Sequence, residues 1–286
     1  KRMGKKNLIC ESGAGQHYSA TAAVAAKFGI PLIGVMGEVD IKRVNQNIIK
    51  AKHYGAKLKA VPGTLKEAIT DAIKTWITNP DYYYVCGSAV SSFPFPKIVQ
   101  FAQSIIGREI REQSMEQEGR LPDMICGCVG GGSNFIGSIH EFLDEPNIKK
   151  IGVEAAETAA LTHGTPNIMQ GMKSYMLASS DGSKSLGGSS LGAGIQYFGV
   201  GPQHSYLKDQ GAVTYTSATD KEILNAYKVV AQTEGISSAL EPMAAAAEVL
   251  KQAKGKPKDF IIVLSLCGRG EKDLDTIEEH MGKDFE

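Results

Sequence analysis

An apolar run over residues 124–129 ends abruptly in Gly130, Gly131 and Gly132, followed by Ser133, Asn134 and a helix-like stretch to residue 143. That order reads as a strand, a turn with no Cβ atoms and a helix N-terminus. Backbone N–H groups converge there at the positive end of a helix dipole, which suits a phosphate. A glycine-rich turn with no ligand fits the same letters, and the unbroken apolar strand before it weighs toward a ligand.

The pattern around this turn sets the fold class. Strand-like runs at 8–10, 31–36, 56–61, 82–86, 124–129 and 148–154 alternate with helical patterns at 16–28, 42–54, 64–75, 98–118 and 134–143. Such alternation specifies mostly parallel sheets covered by helices on both faces. From about 158 to 206 the periodicity fades into Gly, Ser and Thr, which predicts a long functional or mobile loop. Order returns with a strand at 213–217, helices at 220–234 and 240–254, and a strand at 260–266. The expectation is an α/β protein of two three-layer domains, 1–103 and 104–286, divided within or beside the long helix. Residues 1–6 read as the basic last turn of a helix stopped by Gly4, so the chain is expected to have lost its front.

Composition narrows the partners. Lys plus Arg equals Asp plus Glu at 31 each, so no global field favours nucleic acid or an anionic membrane surface. No apolar stretch approaches the roughly 20 residues of a membrane span, and no signal-peptide pattern opens the chain. Five cysteines, mostly inside apolar runs, predict reduced thiols and a cytoplasmic setting. Cys126 and Cys128 share one strand face, but no second Cys/His pair completes a tetrahedral zinc set.

Two further strand ends carry polar clusters. Glu11-Ser-Gly-Ala-Gly-Gln-His17 lies where the first strand hands over to the first helix, the edge at which open α/β sheets bind ligands. Its N–H groups suit a carboxylate; equally, Ser12 suits a plain N-cap and Glu11 a first-turn acid. Ser265-Leu-Cys-Gly-Arg-Gly-Glu-Lys-Asp273 ends the last strand, where Cys267 faces either a ligand's heterocycle or the core. Three such ends in one chain weigh together. Gly235 is placed as a helix C′ cap, so Glu234 stands against the dipole and hints at a ligand contact. His163, His204 and His280 have no acidic or nucleophilic neighbour at a telling spacing and read as surface or satisfied histidines.

These motifs, with Gly87-Ser-Ala-Val90, Pro94-Phe-Pro96, Gly199-Val-Gly-Pro-Gln-His-Ser-Tyr-Leu207, Thr233-Glu-Gly-Ile236 and Ala239-Leu-Glu241, stand in the order of the tryptophan synthase β subunits. The chain resembles that family from its first residue to nearly its last. The resemblance implies a pyridoxal-phosphate enzyme of fold type II that makes L-tryptophan from L-serine and indole by β-replacement. It implies that Gly130, Gly131, Gly132, Ser133 and Asn134 cup the cofactor phosphate, that Cys267 faces the pyridine nitrogen with Gly268 also binding the cofactor, and that Glu234 lies near the ring. Glu11 is implied as the acid/base, and Ser12, Gly13, Ala14, Gly15, Gln16 and His17 as the substrate-carboxylate site. Arg43 and Lys66 match positions of domain closure and α-subunit contact, and the backbone of Ile195, Tyr197 and Gly199 matches a monovalent-cation site. The implied partners are an α subunit and a second β chain.

Departures from the family pattern are informative. The Schiff-base lysine and its preceding histidine fall upstream of residue 1 in the family, so these residues alone are expected to be inactive. Cys267 stands where the family has serine, Gln196 where it has the aspartate that pairs with Arg43, and Tyr18 where it has glycine, a change expected to crowd the substrate. Another β-replacement or elimination enzyme of the same fold, or a degenerate binding subunit, accommodates these changes. A nicotinamide-binding protein is disfavoured, because Gly130 to Asn134 lacks the G-x-G-x-x-G spacing and no suitably placed acid follows.

Overall fold

Apolar runs bounded by glycine or proline become parallel strands, and the amphipathic stretches between them become the helices that cover them. The computed structural model describes residues 1–42, 44–179 and 184–285, residue 284 by its backbone only. Contacts group the chain into two units, Lys1–Gly87 and Ser88–Glu286. The residues between 88 and the expected boundary at 103 therefore pack with the second unit.

The first unit contains β1 (Asn7–Glu11), α1 (Gln16–Phe28), β2 (Leu32–Gly37), α2 (Glu38–Ile41), α3 (Asn45–His53), β3 (Lys57–Val61), α4 (Leu65–Thr78) and β4 (Tyr82–Tyr84). Its four strands are all parallel in the order β3-β2-β1-β4. Tyr18, Ala22 and Ala25 of α1 join Ile48 and Ala51 of α3 over Cys10, Leu32 and Met36, and α4 packs against β1, β2 and β4. Gly29, at φ 64, ends α1 as a left-handed cap. Residues 1–4 form a single turn closed by the Gly4 amide on the Lys1 carbonyl at 3.0 Å, with Gly4 at φ 72.

The second unit contains α5 (Phe95–Gln103), α6 (Ile105–Glu118), β5 (Met124–Cys128), α7 (Ser133–Ile139), β6 (Lys149–Ala155), α8 (Ala160–His163), β7 (Thr165–Met169), β8 (Met172–Met176), α9 (Pro202–Asp209), β9 (Thr214–Ala218), α10 (Asp220–Glu234), α11 (Leu240–Gln252), β10 (Ile262–Leu264) and α12 (Leu274–Met281). Its main sheet is parallel in the order β10-β5-β6-β9. Side chains alternate along β5. Met124, Cys126 and Cys128 face the core shared with α11, whereas Ile125 faces the core shared with α7.

One packing detail fixes the start of α7. Gly127 and Gly152 sit opposite each other in the β5–β6 register, and Phe135 lies over both. A Cβ at either glycine would come within 2.7 Å or 2.9 Å of its ring. Phe135 is fully buried, and burying such a side chain is worth about 3 kcal/mol at most. That contact pins the first turn of α7 to the sheet, and with it the glycine turn that precedes it.

Two expectations are corrected. The helix foreseen over 98–118 breaks into α5 and α6 at Ser104, whose hydroxyl bonds the Phe101 carbonyl at 2.8 Å and competes with the helical ladder. Within the loop foreseen over 158–206 lies the antiparallel hairpin β7–β8. Its turn residues Gln170 and Gly171 both take positive φ, 47° and 77°, as a two-residue hairpin turn of this twist requires. Among the described residues no helix is long and apolar enough to cross a membrane.

Candidate functional site

In the second unit the three glycines close the gap between β5 and α7. The Val129 amide bonds the Val153 carbonyl at 2.7 Å, so the chain leaves the sheet only after it. A Cβ on Gly130 would lie 2.8 Å from the Gly194 carbonyl, and one on Gly131 would fall onto the Ser88 hydroxyl. Gly132 takes φ 96 and is the N-cap of α7, with no acidic residue in the helix's first turn. The turn is thus a cradle whose side-chain space is already filled by neighbouring chain, leaving backbone amides to line it. Asn134 adds a donor. Its Oδ1 accepts from the Ser265 hydroxyl at 3.3 Å, while its Nδ2 is buried without a partner. An orphaned buried N–H beside amides at a helix start fits an anionic group such as a phosphate.

His204 holds this turn and was not singled out from sequence beyond being satisfied. It is fully buried, with Nε2 2.7 Å from the Gly132 carbonyl and Nδ1 2.8 Å from the Tyr215 hydroxyl. A carbonyl can only accept, so Nε2 carries the proton and Nδ1 accepts from Tyr215. Burial holds the imidazole neutral by lowering its pKa to about 4, against the opposing pull of the Gly132 carbonyl. The signal in the sequence was its place two residues after Pro202 in α9, where Gly201 bonds the Gly131 carbonyl at 3.0 Å.

Cys267 follows β10 and lies 3.6 Å, sulfur to sulfur, from Cys128. Its thiol is lowered because Cys128 hydrogen-bonds to it, and the buried Cys128 is correspondingly raised. Gly268 takes φ 80 and redirects the chain after Cys267. Beneath this turn lies a cluster the sequence did not announce. Lys272 Nζ sits 2.9 Å from Glu241 Oε1 and 2.7 Å from Asp273, all three buried. Glu241 Oε1 also accepts from the Gly194 amide at 2.6 Å, and Asp273 from the Leu240 amide at 2.9 Å. The cluster ties together the 192–195 turn, the start of α11 and the 267–273 turn.

The remaining candidates of this unit are more dispersed. Glu234 is exposed on the last turn of α10, where Gly235 at φ 66 is the expected left-handed cap. The Ile195 carbonyl accepts from the Thr158 hydroxyl at 3.0 Å and from the Tyr197 amide at 3.1 Å. Gly199 pairs with Met176, and Gln196 Nε2 bonds the Gly188 carbonyl at 3.1 Å.

In the first unit Glu11 closes β1 and is 5% exposed, neither a surface acid nor part of the helix. Burial raises its carboxyl pKa, and His17 and a hydrogen bond from Tyr84 pull it back. Glu11 Oε2 has no partner. Ser12 does not cap α1. The N-cap is Gly15 at φ 74, pressed so closely on Asn47 that a Cβ would lie 2.8 Å from Asn47 Cβ. Asn47 Nδ2 holds the Ala14 carbonyl at 2.8 Å, and His17 Nε2 donates to the Val85 carbonyl at 2.8 Å. Residues 12–17 therefore wrap the N-terminus of α1 beside a buried carboxyl whose pKa is raised. Tyr18 points away from that turn into the core over Gly34, which corrects the expectation that it crowds the carboxylate loop. Lys66 is exposed on the first turn of α4, and Arg43 lies outside the described residues.

Comparison with known proteins gives three findings. A family model described as pyridoxal-phosphate dependent enzyme matches residues 1–268. A tryptophan synthase beta chain of Allorhizobium ampelinum is 47% identical over 294 residues, covering 99% of this chain and 72% of that protein. A crystal structure of a lysine-to-alanine mutant of O-ureido-L-serine synthase, with O-ureido-L-serine bound, superposes with a TM-score of 0.67 at 19% identity over 96% of this chain and 76% of that one, a likeness of fold.

Proposed function

This chain belongs to the pyridoxal-phosphate dependent enzymes of fold type II and is similar to tryptophan synthase β, and on that premise we propose that it serves the β-replacement that makes L-tryptophan from L-serine and indole. The observation that carries the assignment to its residues is the cradle at 130–134, with side-chain space filled by the chain and Asn134 Nδ2 buried and unpartnered. When bound, pyridoxal phosphate supplies an electron sink for the amino-acid Cα.

The chain's own residues do the rest. Gly130, Gly131, Gly132, Ser133 and Asn134 hold the phosphate through N–H groups, and His204 keeps Gly132 in the geometry that aims them. Cys267 faces the ring nitrogen, Gly268 lies against the cofactor, and Glu234 is near the ring. Ser12, Gly13, Ala14, Gly15, Gln16 and His17 take the substrate carboxylate on the N-terminal turn of α1. Glu11 moves the proton. Its carboxyl, raised by burial above the ordinary carboxylate range, carries a proton on Oε2 to the departing serine hydroxyl and as carboxylate then holds the indole N–H. The backbone of Tyr197 and Gly199 offers carbonyls to a monovalent cation, beside an Ile195 carbonyl already taken by the Thr158 hydroxyl and the Tyr197 amide. Arg43 and Lys66 serve closure and α-subunit contact, a second β chain completes the assembly, and the setting is cytoplasmic. Functionally, 1–103 carries the closure region and 104–286 the phosphate site, and turnover draws on a Schiff-base lysine that the resemblance places upstream of these residues.

The test is product analysis with the protein that joins these residues to that lysine. Tryptophan formed from serine only when indole is present supports the assignment. Pyruvate formed equally with and without indole assigns the site to elimination instead.

A further inference from the structure

Cys128 and Cys267 are the last residue of β5 and a residue just beyond β10, on neighbouring parallel strands. The register pairs Cys126 with Leu264, and the ladder runs one bond further through the Ser265 amide on the Cys126 carbonyl at 2.9 Å. Cys267 follows two residues beyond that bond, where the chain has left the ladder at the end of the sheet. Their sulfurs already touch at 3.6 Å. We propose that Cys128 and Cys267 form a reversible disulfide site that withdraws Cys267 from the cofactor pocket.

The two thiols are unequal in a way that suits exchange. Cys267 is partly exposed and hydrogen-bonded by its neighbour, whereas Cys128 is buried and holds its proton. Cys126, on the same strand face, donates to the Ala245 carbonyl and is pushed up to about 12 by burial, so it stays silent. With a low-molecular-weight disulfide as oxidant, the Cys267 thiolate attacks one of its sulfurs and expels one thiolate, leaving a mixed disulfide on Cys267. Cys128 then attacks the Cys267 sulfur, loses its proton to the departing second thiolate, and closes the Cys128–Cys267 bond. The two electrons given up by the protein thiols leave with the two small thiols. Closure draws the sulfurs from 3.6 Å to about 2.05 Å and removes the S–H that would meet the ring nitrogen. The effect on the cofactor rests on the proposed function, but the disulfide does not.

The experiment equilibrates the 286-residue chain with graded mixtures of reduced and oxidised glutathione, alkylates the remaining thiols and weighs the peptides. The same samples are titrated with pyridoxal phosphate. The expected result is a peptide pair linked through Cys128 and Cys267, reversed by dithiothreitol, with Cys126 alkylated, and cofactor affinity roughly tenfold lower once linked, the scale of one lost hydrogen bond. Cys128→Ala should stop at a glutathione adduct on Cys267, and Cys128→Ser provides the same reading should the alanine fold poorly. A parent chain that also stops at the adduct, or links Cys126 instead, overturns the proposal. A chain that forms the link but binds no pyridoxal phosphate when reduced upholds the disulfide and removes the cofactor assignment.

Discussion

Substituting Gly132 by alanine tests the cradle and its histidine support together. The residue sits at φ 96, where an L side chain costs about 1–2 kcal/mol of backbone strain. Its new methyl would fall onto the His204 ring. Moving that ring breaks the 2.7 Å bond to the Gly132 carbonyl and leaves buried groups unsatisfied, worth about 1–3 kcal/mol. Both losses share one displacement and do not simply add, so Gly132→Ala is expected to lower stability by about 2–4 kcal/mol. Gly131→Ala is the matched control. Its backbone is not left-handed and its methyl meets the Ser88 hydroxyl, which accepts from the Val90 amide at 3.0 Å, so the loss of one hydrogen bond, about 1 kcal/mol, is expected. Urea unfolding with linear extrapolation measures both. In a His204→Ala background the cost of Gly132→Ala should fall to the backbone strain alone. A Gly132→Ala chain within about 0.5 kcal/mol of the parent, the scatter of neutral surface changes, or a Gly131→Ala chain equally weakened, would refute the role given to His204.

Three further outcomes are expected. The imidazole of His204 titrates at about 4 in the folded chain instead of 6.5, so the unfolded chain takes up a proton that the folded one refuses; its contribution is fully present above the unfolded pKa and lost as pH falls from about 6.5 toward about 4, some 3 kcal/mol in all, and His204→Phe should flatten that slope in unfolding curves across this window. Lys272→Met strips the cation from Glu241 and Asp273 and should cost about 3–5 kcal/mol near neutral pH, with a smaller deficit in acid, where the carboxyls take protons. Glu11→Gln keeps the shape of a buried carboxyl while removing its charge, so urea midpoints should hold or rise, while in the protein that joins these residues to the Schiff-base lysine tryptophan formation falls about 100-fold or more.

Much of this architecture is legible in the letters because periodicity and glycine placement are local. The helix expected at 16–28 is α1 (Gln16–Phe28), bounded by Gly15 and Gly29 in left-handed conformations that the sequence marks plainly. The turn at 130–134 follows β5 as its three glycines require. What escaped is what depends on distant partners. The β7–β8 hairpin hides because Met169 and Met172 flank Gln170-Gly171, a turn whose first residue does not announce positive φ. Tyr18 looked like an obstruction at the substrate turn, yet its ring lies over Gly34 of β2, a complement visible only once α1 packs on the sheet. His204 and the Lys272, Glu241 and Asp273 cluster likewise take their meaning from residues far along the chain.

The most direct measurement is equilibrium binding of pyridoxal phosphate and of pyridoxal, its phosphate-free counterpart, to the same chain. If the cradle at 130–134 holds the phosphate, pyridoxal phosphate binds and pyridoxal is weaker by roughly a hundredfold, as loss of several charge-assisted N–H bonds requires. Equal affinity for the two, or preference retained unchanged in Gly132→Ala, would contradict it.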